Sequence, residues 1–67
     1  MYQFFIEDEN AVEDFVTIEG SDVNHIKNVL RMKPGEKIRV CTRSGQNYFC
    51  SISDITESFV RADILEK

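Results

Sequence analysis

Residues 20–36 read GSDVNHIKNVLRMKPGE, and the reading of this stretch decides what the rest of the chain can be. At about 100° per residue, Val23, Ile26, Val29 and Leu30 fall on one arc, while Asn24, Lys27, Asn28 and Arg31 fall on another. Ser21 follows Gly20 in the position of an N-cap, and Asp22 lies in the first turn, where negative charge is favourable; such a cap contributes about 1 kcal/mol. Pro34 cannot continue a helix, and Gly35 suits the turn that must follow. The spacing predicts one amphipathic helix of about ten residues. No other segment offers a second helix.

Outside this stretch the chain reads as strands joined by loops and turns. Tyr2 to Ile6 is aromatic and β-branched, and its Phe4-Phe5 pair points to both faces, so one of the two needs cover beyond a barrel wall. Glu7 to Asp14 is an acidic loop, and Phe15 to Ile18 is a second strand stopped at Gly20. Lys37 to Thr42 alternates Ile38 and Val40 against Arg39 and Cys41. Ser44-Gly45 turns the chain, and Asn47 to Ile55 returns as the partner strand. Phe49 shares a parity with Ile55 but Ile52 shares one with Cys50, which predicts a bulge near Ser51 to Ser53. Ser58 to Leu65 is the fifth strand, with Phe59, Val60, Ala62, Ile64 and Leu65, and Glu66-Lys67 ends abruptly on it. Five strands and one short helix in 67 residues favour a mainly β fold, a small closed or nearly closed barrel, because closure removes exposed edges.

Size and composition narrow the function. A domain of this length buries only about 60% of its unfolded surface, so 1–67 is one domain with a thin margin of stability. No apolar run reaches the length of a membrane span or a signal-peptide core, so the expectation is a cytoplasmic protein. Cys41 and Cys50 are too few for a disulfide framework, and with His25 as the single histidine they cannot build a four-ligand zinc site. They are expected as reduced, buried or half-buried thiols. No nucleophile elbow, phosphate-cradling loop or dinucleotide fingerprint is present, so no catalytic residue and no metal ligand is assigned. Net charge is −4, yet it is segregated. Residues 1–20 hold six acids and no base, whereas 21–45 hold six bases (Lys27, Arg31, Lys33, Lys37, Arg39, Arg43) and only two acids, Asp22 and Glu36. One face of an acidic protein is thereby able to attract anions.

The pieces of the decisive stretch also carry a family resemblance. His25 stands three residues before Asn28, then come Val29-Leu30-Arg31, then Pro34-Gly35-Glu36 opening a strand; Phe4-Phe5-Ile6 precede them, and Ile38-Arg39-Val40 and Ser44-Gly45 follow. In this order they resemble the RsmE-type methyltransferases, across essentially the whole chain. The resemblance implies an amino-terminal PUA-like barrel that positions small-subunit (16S) ribosomal RNA, in an S-adenosylmethionine-dependent enzyme that modifies N3 of a uridine. It further implies a carboxy-terminal SPOUT methyltransferase domain, absent here, that would bind S-adenosylmethionine, be the barrel's partner and form a homodimer; the abrupt end at Lys67 fits that expectation. This chain would then hold no cofactor and not be catalytic alone. One departure stands out: members often carry Arg before the Phe-Phe pair, and this sequence has Gln3.

The residues make their own case for RNA. Lys27 and Arg31, four apart, are expected to share a helix face with Asn24 and Asn28, matching phosphates with cations and sugars or base edges with amides. Lys33 follows in the loop, Arg39 alternates out of the core, and Arg43 lies at the hairpin tip. His25, at the edge of the apolar arc, either bonds a backbone carbonyl at the helix–barrel seam or reaches RNA. Tyr48 either packs or stacks on an unpaired base. Arg31 is also open to an ion pair with a carboxylate such as Glu36. Two other functions compete: a protein-interaction domain meeting a basic partner through its acidic loop, and a structural barrel packing on its own catalytic domain.

Overall fold

The computed structural model describes residues 1–66, so Lys67, the expected final residue of the domain, lies outside the described residues. In order, the chain forms β1 (Gln3–Ile6), a 3-10 turn (Asp8–Asn10), β2 (Phe15–Ile18), α1 (Ser21–Asn24) running into a π turn (His25–Val29), β3 (Lys37–Thr42), β4 (Asn47–Ile55) and β5 (Val60–Glu66). The strands form one sheet in the order β1-β3-β4-β5-β2, antiparallel except for the parallel β1–β3 pair. The sheet curls into a half-barrel. Its edges, β1 and β2, leave a seam of about 420 Å³ lined by Phe5, Ile6, Glu7, Asn10, Glu19 and Gly20.

Alternation explains the core. Phe4 and Ile6, Val16 and Ile18, Ile38 and Val40, Cys50 and Ile52, and Val60 and Ala62 all point inward and are buried. Burying such a side chain contributes about 1.5–3 kcal/mol. Phe5 points the other way and is 71% exposed, so the cover its parity calls for does not come from the described residues. The expected bulge is present at Ser53, which is skipped between the Ile52–Ala62 and Asp54–Arg61 pairs. A second irregularity near Phe49 leaves Leu65 of β5 unpaired. Gly45, at φ 99, closes the β3–β4 hairpin with its N–H donating to the Thr42 carbonyl at 3.0 Å. A positive φ of this kind suits glycine.

The helix departs from expectation in three ways. Gly20, not Ser21, is the capping residue; Ser21 is already helical and makes no side-chain cap. The α-helical part is one turn, after which the Leu30 N–H reaches back five residues to the His25 carbonyl at 2.8 Å. A π turn rotates the chain less per residue than an α turn. Val29 therefore swings off the apolar arc and is 61% exposed, and Met32 fills the core in its place at 7% exposure. The stop also comes before Pro34. Arg31 takes a left-handed backbone at φ 53, and the Met32 N–H bonds the Ile26 carbonyl at 3.0 Å. Gly35 and Glu36 instead tie the following loop to Ile52 of β4 through two backbone bonds.

Candidate nucleic-acid interface

All eight side chains that the sequence nominates for RNA are exposed, and they sit on three elements rather than one. Asn24, His25, Lys27 and Asn28 lie on the helical segment, followed by Arg31 at its left-handed end and Lys33 in the next loop. Arg39 projects from the outer face of β3, and Arg43 stands at the β3–β4 hairpin. Lys27 and Arg31 do not share an α-helical face, because a π turn and a backbone reversal separate them. Asn24 and Asn28 do meet: Asn28 Nδ2 donates to Asn24 Oδ1 at 2.6 Å. His25 is exposed rather than buried in a seam, with no side-chain hydrogen bond among the described residues. Tyr48 packs partly against the core, on the side of β4 opposite Arg39.

Ion pairing sorts these cations. Among the described residues Lys27, Arg31, Lys33 and Arg39 pair with no carboxylate, and Glu36 accepts from the Lys33 backbone N–H at 2.6 Å instead of holding Arg31. Arg43 differs, since its Nε lies 3.3 Å from Glu7 Oε1. The acidic stretch is thus partly built into the fold. Asp8 Oδ1 accepts from the Ser44 hydroxyl at 2.8 Å and from the Ser44 N–H at 3.3 Å, which stitches the 3-10 turn to the hairpin. These bonds, the hydroxyl's foremost, hold the Asp8 carboxyl below its ordinary value of 3.8, and the Arg43 charge adds to them. The parallel β1–β3 pairing makes this possible by placing Ile6 beside Thr42, so that the residues after each meet.

The sequence reading missed the surroundings of Arg39. Register sets Gln3, Arg39, Phe49 and Glu66 in one row across four strands, with Phe5, Cys41 and Asn47 in the next row. A shallow cleft of about 180 Å³ opens there, lined by Arg39, Asn47, Tyr48, Phe49 and Glu66. Cys41 lies beneath this surface, accepting from Gln3 Nε2 and donating to Asn47 Oδ1. The signal was present in the parity of Phe5 and Phe49, but it needed the pairing partners to become a surface.

The thiols are free and buried. Burial, reinforced by the nearby Asp63 charge, pushes Cys50 up to about 11, so it is a thiol and no nucleophile near neutrality. Among the described residues no group of three His, Cys, Asp or Glu side chains could hold a metal ion, and no helix is long and apolar enough to cross a membrane.

Comparison with known proteins places this geometry. The family model described as the RNA methyltransferase PUA domain matches residues 18–65. The ribosomal RNA small subunit methyltransferase E of Bacillus subtilis is 32% identical over 69 residues, covering 98% of this chain and 27% of that protein. A solved ribosomal RNA small subunit methyltransferase E from Neisseria gonorrhoeae, bound to S-adenosyl methionine, shares 26% identity with a TM-score of 0.78, over 98% of this chain and 27% of its own. A predicted RNA methyltransferase from Thermotoga maritima superposes with a TM-score of 0.85 at 21% identity, over 98% of this chain and 29% of its own, and speaks to the fold alone. The chain thus spans little more than a quarter of the length of these relatives.

Proposed function

The chain belongs to the PUA-domain family of RNA methyltransferases, and from that premise we propose that it docks small-subunit ribosomal RNA for an enzyme that methylates N3 of a uridine. The observation that carries this reading is the run of exposed cations from Lys27 to Lys33, paired with no carboxylate among the described residues and set within a chain whose net charge is −4. Phosphate contacts position a protein on RNA, and a cation that no carboxylate occupies makes them without first breaking a pair. The π turn and the left-handed Arg31 fall within the same run, and both are backbone features that gather at functional sites.

On this reading methyl transfer belongs to a further SPOUT domain of the parent protein, which would bind S-adenosylmethionine, pack on this barrel and form the homodimer, in the cytoplasm. The barrel's own residues bind and orient. The competing protein-interaction reading, through the acidic 7–14 loop, loses part of its surface because Glu7 and Asp8 are engaged with Arg43 and Ser44.

The test is filter binding of a small-subunit ribosomal RNA fragment across a salt series. Each phosphate contact contributes a slope of about −0.7 for single-stranded RNA. Replacing Lys27 and Arg31 together with alanine should flatten the slope by about 1.4 with the fold intact. Glu7→Gln should steepen it by up to about 0.7, because Arg43 is released from an exposed pair that is itself worth only about 0–1 kcal/mol. A slope indifferent to both changes would leave the cations as a solvated surface and refute the docking role.

A further inference from the structure

The row of residues around Arg39 has chemistry that phosphate docking does not use. We propose that the outer face of β1, β3 and β4 is a stacking platform for unpaired nucleobases, with Phe5 and Phe49, in adjacent rows two strands apart, as separate apolar surfaces, Arg39 on the intervening strand as a planar cation, and Gln3 and Asn47 as reader amides. This proposal rests on the RNA-docking reading above and adds a second, uncharged mode of contact to it.

Four observations carry it. Phe5 is 71% exposed on the outer face of the sheet, whereas its strand neighbours Phe4 and Ile6 are buried on the inner face. An aromatic ring left in water beside polar neighbours is a surface for a partner with a flat apolar face. Next, the two amides are held in place: Gln3 Nε2–H donates to Cys41 Sγ, and the Cys41 thiol donates to Asn47 Oδ1. This chain of bonds crosses three strands and leaves the Gln3 carbonyl oxygen and a hydrogen of the Asn47 amide nitrogen for a base edge. The cleft beside them, about 180 Å³, is below the roughly 300–1,000 Å³ of sites for larger ligands, and its size suits one ring system.

The fourth observation identifies the occupant. Glu66 lines the cleft with Arg39, and Glu7 and Glu19 line the seam on the other side of Phe5. Carboxylates on both flanks repel a phosphate. They do not repel a neutral base, and Glu66 can accept from a base N–H. Guanidinium planes stack on bases as readily as they pair with phosphates. The bases of a duplex are stacked within an A-form helix and cannot lie on such a face, so the ligand is single-stranded RNA.

The experiment compares two RNA oligonucleotides of equal length and phosphate number, one with its bases and one abasic at consecutive central positions. Against each, the 67-residue chain is measured as wild type, Phe5→Ala and Phe49→Leu, with thermal melts confirming folding. Phe5→Ala changes an exposed side chain, and Phe49→Leu keeps most of the volume of a half-buried one. Stacking on an aromatic side chain is worth roughly 5- to 150-fold in affinity per base. Phe5→Ala should therefore weaken binding to the base-containing RNA at least about fivefold, leave the salt slope unchanged, and make no difference with the abasic RNA. If wild type binds RNA and both variants bind both oligonucleotides equally well, the platform is refuted while docking stands. If wild type binds neither RNA at low salt, docking fails and the platform with it. If Phe5→Ala abolishes a self-association seen by sedimentation and leaves RNA binding alone, a second copy covers this face and the proposal is overturned.

Discussion

Replacing Arg31 with glycine should make this protein more stable and a poorer RNA binder at once. Arg31 holds φ 53, a left-handed conformation that costs a non-glycine residue roughly 1–2 kcal/mol. Glycine removes that cost, and its greater freedom in the unfolded chain takes back about 0.4–1 kcal/mol. The balance runs from nothing to a gain of about 1.6 kcal/mol and is centred near about 0.8 kcal/mol. For a domain of 60–100 residues, 1 kcal/mol moves Tm by about 4–8 °C, so the central gain raises Tm by about 3–6 °C. No ion pair is lost, because Arg31 has no carboxylate partner among the described residues. Urea unfolding should show a higher midpoint at an unchanged m-value. In RNA titrations the same variant should lose one phosphate contact and flatten the salt slope by about 0.7. Opposite signs in the two assays would mark a residue retained for binding at a cost in stability. A variant destabilised by more than about 1 kcal/mol would refute the reasoning, since the arginine side chain would then hold the fold. A more stable variant with an unaltered slope would remove Arg31 from the interface.

Two further outcomes follow from the groups with displaced pKa values. The Asp8 carboxyl is held below 3.8 in the folded state, so the stability it contributes is complete above the ordinary carboxylate range and lost as pH falls through its lowered native value; Asp8→Asn should be less stable than wild type near neutrality, and the gap should close in acid urea titrations. Cys50, at about 11 and buried, should resist alkylation in the native protein from pH 7 to 9, whereas unfolding should expose two reactive thiols; rapid native labelling of Cys50 would contradict its placement in the core.

The strands were legible because a period of two is hard to mistake when apolar and polar residues alternate, as Ile38 and Val40 do with Lys37 and Arg39. The bulge was legible for the same reason, since the parity break after Ile52 has no other remedy in a paired strand. The helix was legible as an element but not in its winding. Val29 and Met32 are both apolar, and the residue that enters the core depends on whether the Leu30 N–H bonds four or five residues back. That choice differs by a fraction of a turn and is settled by packing against the sheet. Ser21 looked like a cap on propensity alone, but Gly20 with φ 76 turns the chain into the helix from the left-handed side.

The candidate site was legible in its charges and illegible in their pairing. Six bases in 21–45 can be counted from the sequence, but which of them are free depends on the β1–β3 register. That pairing is parallel and joins residues 36 apart, so no hairpin turn announces it. Once Ile6 lies beside Thr42, Glu7 reaches Arg43 and Asp8 reaches Ser44, and one of the nominated cations is half-neutralised. The same register sets Gln3 next to Arg39 and Phe5 next to Cys41. A single topological fact thus withdraws Arg43 from the free cations and gathers an aromatic and amide surface around Arg39. It also bears on position 3, where the family resemblance leads to an expectation of arginine. A second guanidinium at position 3 would stand beside Arg39 and attract phosphate, whereas Gln3 lowers the local charge and bonds the Cys41 thiol. On the proposed reading, glutamine rather than arginine at position 3 would favour a neutral base over a phosphate at that patch.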